Sequence, residues 1–240
     1  MLLRRYLGVV LLLSAASSLA QTVSPVIVEY KGKAGGQIAL VNNTLAPLAV
    51  VLEPKSFSIT PDGNGVYRPL DPNIQVKVSS TSFRIEPGQT YYVFYSATSD
   101  KLPAWFTVYC VFSKVQHTAG LDVRILLPHT VYIYPKKQPA NVEVRVKQAV
   151  YSAQSGRVEC DLENNTPDLT RVQEVRLKSG TKSETAAGFP LLPGSRRHLE
   201  LSWSEKEPPQ TIVLQFAHST LKQPISTGGQ FYASDQFVDH

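Results

Sequence analysis

Apolar and polar residues alternate along most of this chain, in short runs that stop at turn-forming residues. In residues 105–112, Phe106, Val108, Cys110 and Phe112 share one face, and Trp105, Tyr109 and Val111 share the other. A period of two is that of a β-strand, and a strand apolar on both faces belongs in the middle of a sheet. Residues 74–78 alternate cleanly. In residues 121–134, Leu121, Val123, Ile125 and Leu127 lie on one face while Asp122 and Arg124 point the other way. Pro128 interrupts that run, and a proline within a strand is confined to edges and bulges. The run is therefore expected at a sheet edge for part of its length, with backbone groups open to another chain.

The same pattern predicts strands at 26–30, 37–41, 48–53 and 91–95, and later at 142–146, 157–162, 172–177, 198–203 and 211–217. Turn residues separate them: 31–36 (KGKAGG), with Gly35 and Gly36 read as turn, the hairpin tip 60–67 (TPDGNGVY), and Glu86-Pro87-Gly88. Asp-Gly and Asn-Gly pairs favour tight hairpins. The 17 prolines are scattered so that no helical pattern extends. The expectation is an all-β protein of sandwich type.

Two segments repeat. Residues 38–44 (IALVNNT) are echoed by 158–166 (VECDLENNT), and 83–96 (FRIEPGQTYYVFYS) by 189–202 (FPLLPGSRRHLELS), in the same order. One β-rich unit in tandem copies is the economical explanation. Arg4 and Arg5, an apolar run over 9–13 and Ser18-Leu19-Ala20 form a secretory leader with cleavage expected after Ala20. The expected division is 1–20 signal peptide, 21–135 first domain, 136–225 second domain and 226–240 polar tail, with 135–139 (PKKQP) as linker. Two domains of about 100 residues each can hold separate cores.

Composition narrows the function. The 24 lysines and arginines against 19 acids give +5, and setting aside Arg4 and Arg5 leaves +3, which marks no nucleic-acid footprint. The apolar leader is too short to span a bilayer, so stable membrane insertion is not expected. Cys110 and Cys160 are the only cysteines, each within a strand pattern of a different unit, and are read as two buried thiols. The five histidines show no metal-ligand spacing. No serine sits in a G-x-S-x-G or S-x-x-K context, and no glycine loop is built to cradle phosphate. The reading is a non-enzymatic binding protein with no cofactor and no metal. Both Asn-Asn-Thr segments satisfy the glycosylation sequon, but the repeat already explains them as turns.

The ordered set of motifs resembles the periplasmic chaperones of pilus and fimbria assembly, the PapD-like family. Val28–Tyr30 with Gly32 is similar to the family's first strand and turn, and 38–43 to its second strand. Ile85-Glu86-Pro87-Gly88 is similar to its L-x-P-G turn, and Lys101-Leu102-Pro103 leads into the aromatic strand that precedes the donor strand. Residues 121–135 resemble the donor strand itself, with its aromatic-x-Pro exit. LENNTP at 162–167 and LPGS at 192–195 resemble the second domain.

The resemblance implies two immunoglobulin-like sandwiches set at an angle with a cleft between them, in an exported protein of the periplasm. It implies a chaperone that complements pilin-like subunits with its own strand, and a partner usher in the outer membrane. Leu121, Val123, Ile125 and Leu127 would be the inserted row, contributing on the order of 6–12 kcal/mol before ordering costs. In that family an Arg on the first strand and a Lys late in the donor strand hold the subunit's terminal carboxylate. Ile27 and Thr130 stand at those positions here, and His129 beside them is mostly neutral at pH 7. Ile27, His129 and Thr130 are thus the expected anchor region, without the family's cations. An exported structural or adhesive two-domain protein without pilin clients remains the alternative.

Overall fold

The computed structural model describes residues 20–115, 123–137 and 143–227, and every regular element among them is a β-strand. In chain order the first ten are β1 (Thr22–Ser24), β2 (Ile27–Lys31), β3 (Ala34–Val41), β4 (Leu48–Ile59), β5 (Gly65–Pro69), β6 (Ile74–Val78), β7 (Ser82–Ile85), β8 (Thr90–Ser99), β9 (Ala104–Lys114) and β10 (Ile125–Tyr134). The remaining eight are β11 (Val144–Ser152), β12 (Arg157–Asn164), β13 (Thr170–Ser179), β14 (Lys182–Leu191), β15 (Arg196–Ser202), β16 (Thr211–Gln215), β17 (Thr220–Pro224) and β18 (Ser226–Thr227).

They form two sandwiches. In the first, a sheet ordered β1-β3-β8-β6 packs on a sheet ordered β2-β10-β9-β4-β5, with β7 also paired to β4. In the second, β15-β12-β11-β18 packs on β14-β13-β16-β17. Among the described residues, no strand of the first sandwich pairs with one of the second. Each sandwich has its own core. Phe106, Val108, Cys110 and Phe112 of β9 are buried in the first among Ile38, Leu40, Val50, Val93 and Ile133. Val158, Cys160, Leu162, Val172, Ile212 and Trp203 belong to the second. As the apolar pattern requires, β9 is central, between β10 and β4. Both cysteines are free and buried, and burial pushes each thiol up to about 12.

The sequence repeat is a repeat of bonds. The Asn42 amide donates to the carbonyls of Ala46 and Ile85, and its carbonyl oxygen accepts from the Thr44 amide and hydroxyl. Asn164 does the same with Asp168, Leu191 and Thr166. The backbone N–H of Asn42 reaches the Gln89 carbonyl, and that of Asn164 the Ser195 carbonyl, so each Asn-Asn-Thr closes on its own Pro-Gly turn. Both asparagines are fully buried, which satisfies backbone groups that would otherwise lie unpaired inside.

Some sequence expectations need correction. Gly35 and Gly36 are not a turn but part of β3. A Cβ on Gly36 would lie 2.5 Å from the Tyr30 hydroxyl, so the glycine makes room for the hydrogen bond between Tyr30 and Tyr95. Ser226 and Thr227 do not begin a loose tail; they pair in parallel with Val150 and Tyr151. Strands β14 and β17 carry too little apolar alternation to be legible. The leader, residues 116–122, residues 138–142 and the segment from 228 lie outside the described residues.

Candidate functional site

Strand β10 is built from two unlike halves. Thr130–Tyr134 is paired in parallel with Ile27–Lys31 of β2 on one flank, and through Ile133 it is paired with β9 on the other. The preceding residues, Ile125–His129, pair with Phe112–Val108 of β9 alone. Among the described residues no strand pairs along their other flank. Pro128 falls in this half, opposite Tyr109, where the missing N–H costs no second ladder bond. The expected edge is therefore confined to the first half of the strand.

The alternation of β10 divides its side chains between two tasks. Val131 and Ile133 enter the core of the first sandwich, and Leu127, on the same face, packs half-buried against that core. Ile125 continues the row but is 36% exposed, and Val123, just before the strand, is 48% exposed. Leu121 lies outside the described residues. On the opposite face, Leu126 is 49% exposed and stands in register with Val111 and, across β9, Val51. Apolar side chains thus flank the open edge on both faces.

The three anchor-region residues meet where the open half ends. Thr130 pairs with Ile27, and the Thr107 hydroxyl lies 3.4 Å from that of Thr130. Ile27 is exposed, so an uncharged surface closes the edge. His129 points the other way and is fully buried. Its Nδ1–H donates to the Pro25 carbonyl at 2.6 Å, because a carbonyl can only accept. Its Nε2 is then an unprotonated nitrogen with no partner, and its ring meets the edge of Tyr95 at 5.1 Å. Burial lowers the imidazole pKa, against the Pro25 bond, which raises it. A neutral, inward histidine cannot serve a ligand at the edge.

The other face of β10 ends in the second sandwich. Tyr132 and Tyr134 form a buried cluster with Phe57, Leu169 and Leu192, flanked by Ile59 and Trp105. The Trp105 indole N–H donates to the Phe57 carbonyl at 2.8 Å. Beside the cluster opens a cleft of about 350 Å³, lined by β2, the end of β10, residues 168–173 and residues 216–219. Arg171 reaches across it to Glu29 at 3.3 Å, and the Arg171 Nε is buried without a hydrogen-bond partner. Sequence reasoning missed this pair. Its two members are 142 positions apart, and each reads alone as an ordinary surface charge.

Among the described residues, no group of three or more His, Cys, Asp or Glu could hold a metal ion. No helix there is long and apolar enough to cross a membrane.

No protein-family model matches the chain, and no curated protein matches it in sequence. Solved structures do match. A chaperone–tip adhesin complex vital for synergistic activation of CFA/I fimbriae biogenesis aligns with TM-score 0.50 at 11% identity, over 86% of this chain and 98% of that one. The class 5 fimbriae chaperone CfaA aligns with TM-score 0.50 at 12% identity, over 86% and 99%. The YadV chaperone aligns with TM-score 0.51 at 13% identity, over 82% and 91%. The chain therefore has the two-domain, PapD-like fold of these chaperones.

Proposed function

We propose that this chain is a divergent, non-enzymatic chaperone of the pilus-assembly type, exported to the periplasm, that lends β10 to pilin-like subunits lacking a strand. The observation that carries the reading is the half-open β10, with one flank of Ile125–His129 unpaired among the described residues and exposed apolar side chains beside it. Backbone groups along an open edge bond an added strand whatever its sequence, while alternate side chains fill pockets and select among clients. Val123, Ile125 and Leu127, with Leu121 before them, are the donor row. Each side chain taken from exposure to burial contributes about 1.5–3 kcal/mol. Leu126 would cover the same client from the opposite face. An outer-membrane usher is the expected downstream partner.

A client strand added beside Ile125–His129 continues the line of β2 and ends against Ile27 and Thr130. Neither residue neutralises a terminal carboxylate. Arg171 is the cation we assign to that role: it holds Glu29, two residues beyond Ile27 and so about 7 Å along the strand. A client carboxylate would compete with Glu29 for it.

The test is co-expression of the full chain with pilin-like subunits, followed by co-purification. Ile125→Asp is expected to abolish capture, and Arg171→Ala to weaken it while leaving the fold intact. Undiminished capture by Ile125→Asp would end the donor-strand reading, whereas undiminished capture by Arg171→Ala alone would remove only the anchor.

A further inference from the structure

The hairpin that joins β4 to β5 does not end in solvent. Its tip, residues 60–64, lies on β15 of the second sandwich, where the His198 N–H donates to the Pro61 carbonyl at 2.8 Å. That backbone bond joins the two sandwiches directly. Beside it the Arg197 guanidinium fits between Gly63 and the Phe189 ring, whose centroid is 5.2 Å from Cζ. Burial lowers the Arg197 pKa, against the Asp62 charge, which raises it.

The backbone favours Gly63 there, and any side chain would have to displace the Arg197 guanidinium. The Gly63 φ of +87° is one that side-chain-bearing residues rarely adopt, and a Cβ would stand 1.9 Å from Arg197 Nη1 and 2.0 Å from Cζ. The tip is also closed on itself: Thr60 N–H bonds the Asn64 carbonyl, Gly63 N–H the Thr60 carbonyl, and Asn64 N–H the Thr60 hydroxyl. A rigid turn presses a bare backbone surface onto a guanidinium backed by an aromatic ring.

Its position gives the contact leverage. The chain crosses between sandwiches after β10, whereas the hairpin grows from β4, two strands away in the sheet order. At about 4.8 Å per strand that is a lever arm of roughly 10 Å. The Glu29–Arg171 pair lies on β2, on the opposite side of β10. With the apolar cluster between them, the two contacts oppose rotation of the second sandwich about the linker.

We propose that the β4–β5 hairpin is a strut that fixes the angle between the sandwiches, and so the cleft, with Gly63 and Arg197 as its joint. The proposal does not rest on the chaperone reading, and its test needs no client.

The experiment compares the full-length protein with Gly63→Ala, Arg197→Ala and the control Gly180→Ala. Gly180 also has positive φ, +54°, but a Cβ there meets nothing within 4 Å. Residual dipolar couplings are measured for the amides of each sandwich. The wild type and Gly180→Ala are expected to fit one shared alignment tensor. Gly63→Ala and Arg197→Ala are expected to need two tensors, or one with the sandwiches rotated, while chemical shifts in both cores stay unchanged. If Gly63→Ala does not fold, Arg197→Ala carries the test, since removing a partly buried guanidinium forces no backbone change. Wild-type relative orientation in Arg197→Ala would overturn the proposal.

Discussion

At the scale of single residues, His129 has the most exposed consequence. It is buried, it donates to Pro25, and its second nitrogen has no partner to receive a proton's hydrogen bond. The titratable groups facing it are Tyr95 on β8 and, through the Tyr95 hydroxyl, Tyr30 on β2. Burial raises the Tyr95 pKa further, so Tyr95 carries no charge near neutrality. A histidine whose folded pKa is lowered binds fewer protons folded than unfolded, so stability rises with pH through its unfolded value near 6.5 and falls below it. The slope is about 1.4 kcal/mol per pH unit at most, which caps the loss at about 2 kcal/mol by pH 5. Chemical denaturation of the wild type against His129→Gln, from pH 7.5 to 5, should show that relative loss. A pH-independent difference between the two would mean that His129 is not held neutral. The other conspicuous residues, Asn42 and Asn164, stand out in the sequence alone. A short polar side chain that bonds its own turn leaves a local signature, and here the signature occurs twice. His129 left none, because its partner is a carbonyl 104 residues away.

At the scale of elements, β10 makes a prediction of its own. Amides of a strand paired on both flanks exchange through global or subglobal opening, while an edge frays locally. Hydrogen exchange should therefore show protection rising across β10, with residues 125–127 fast and residues 131–133 slow by orders of magnitude. Uniform slow exchange along the strand would mean that another segment of this chain seals the edge. Alternation over 121–134 with a proline inside was enough to expect an edge strand, and Pro128 does fall in its single-flanked half. The alternation could not say where sealing begins, because that depends on β2, about a hundred positions earlier. Long apolar strands such as β9 are legible for the same reason that they are central: both faces are buried, and both faces show it. Strand β14 was missed because it is a largely exposed edge of its sheet, polar in its first residues and small at its centre, without apolar alternation. The Arg171–Glu29 pair and the Gly63 joint were invisible for a different reason. Each depends on how two sandwiches meet, and no period within either one encodes that meeting. Sequence did suggest a hairpin tip at 60–67, but nothing in it said what the tip touches.

At the scale of the whole molecule, the question is how firmly the two sandwiches are coupled. Among the described residues, three contacts join them: the hairpin strut, the Glu29–Arg171 pair, and the cluster of Phe57, Tyr132, Tyr134, Leu169 and Leu192. The ion pair is partly exposed, at 31% and 41% of its side chains, and such pairs contribute about 0–1 kcal/mol. The cluster contributes more. Its five members are buried, come from both sandwiches and belong to neither core, and truncating a buried leucine costs about 2–5 kcal/mol. Leu169→Ser therefore subtracts from coupling rather than from either core. The wild type should unfold in one calorimetric transition, with each sandwich supporting the other. The variant should show two, the lower one shifted down by roughly 4–8 °C per kcal/mol lost. The two tryptophans allow the assignment, since Trp105 borders the cluster and Trp203 lies in the second core. Their fluorescence transitions should coincide in the wild type and separate in Leu169→Ser. Coincident and unshifted transitions in the variant would mean that the sandwiches are held by the strut and linker alone, and that the angle of the cleft is set at its rim rather than at its floor.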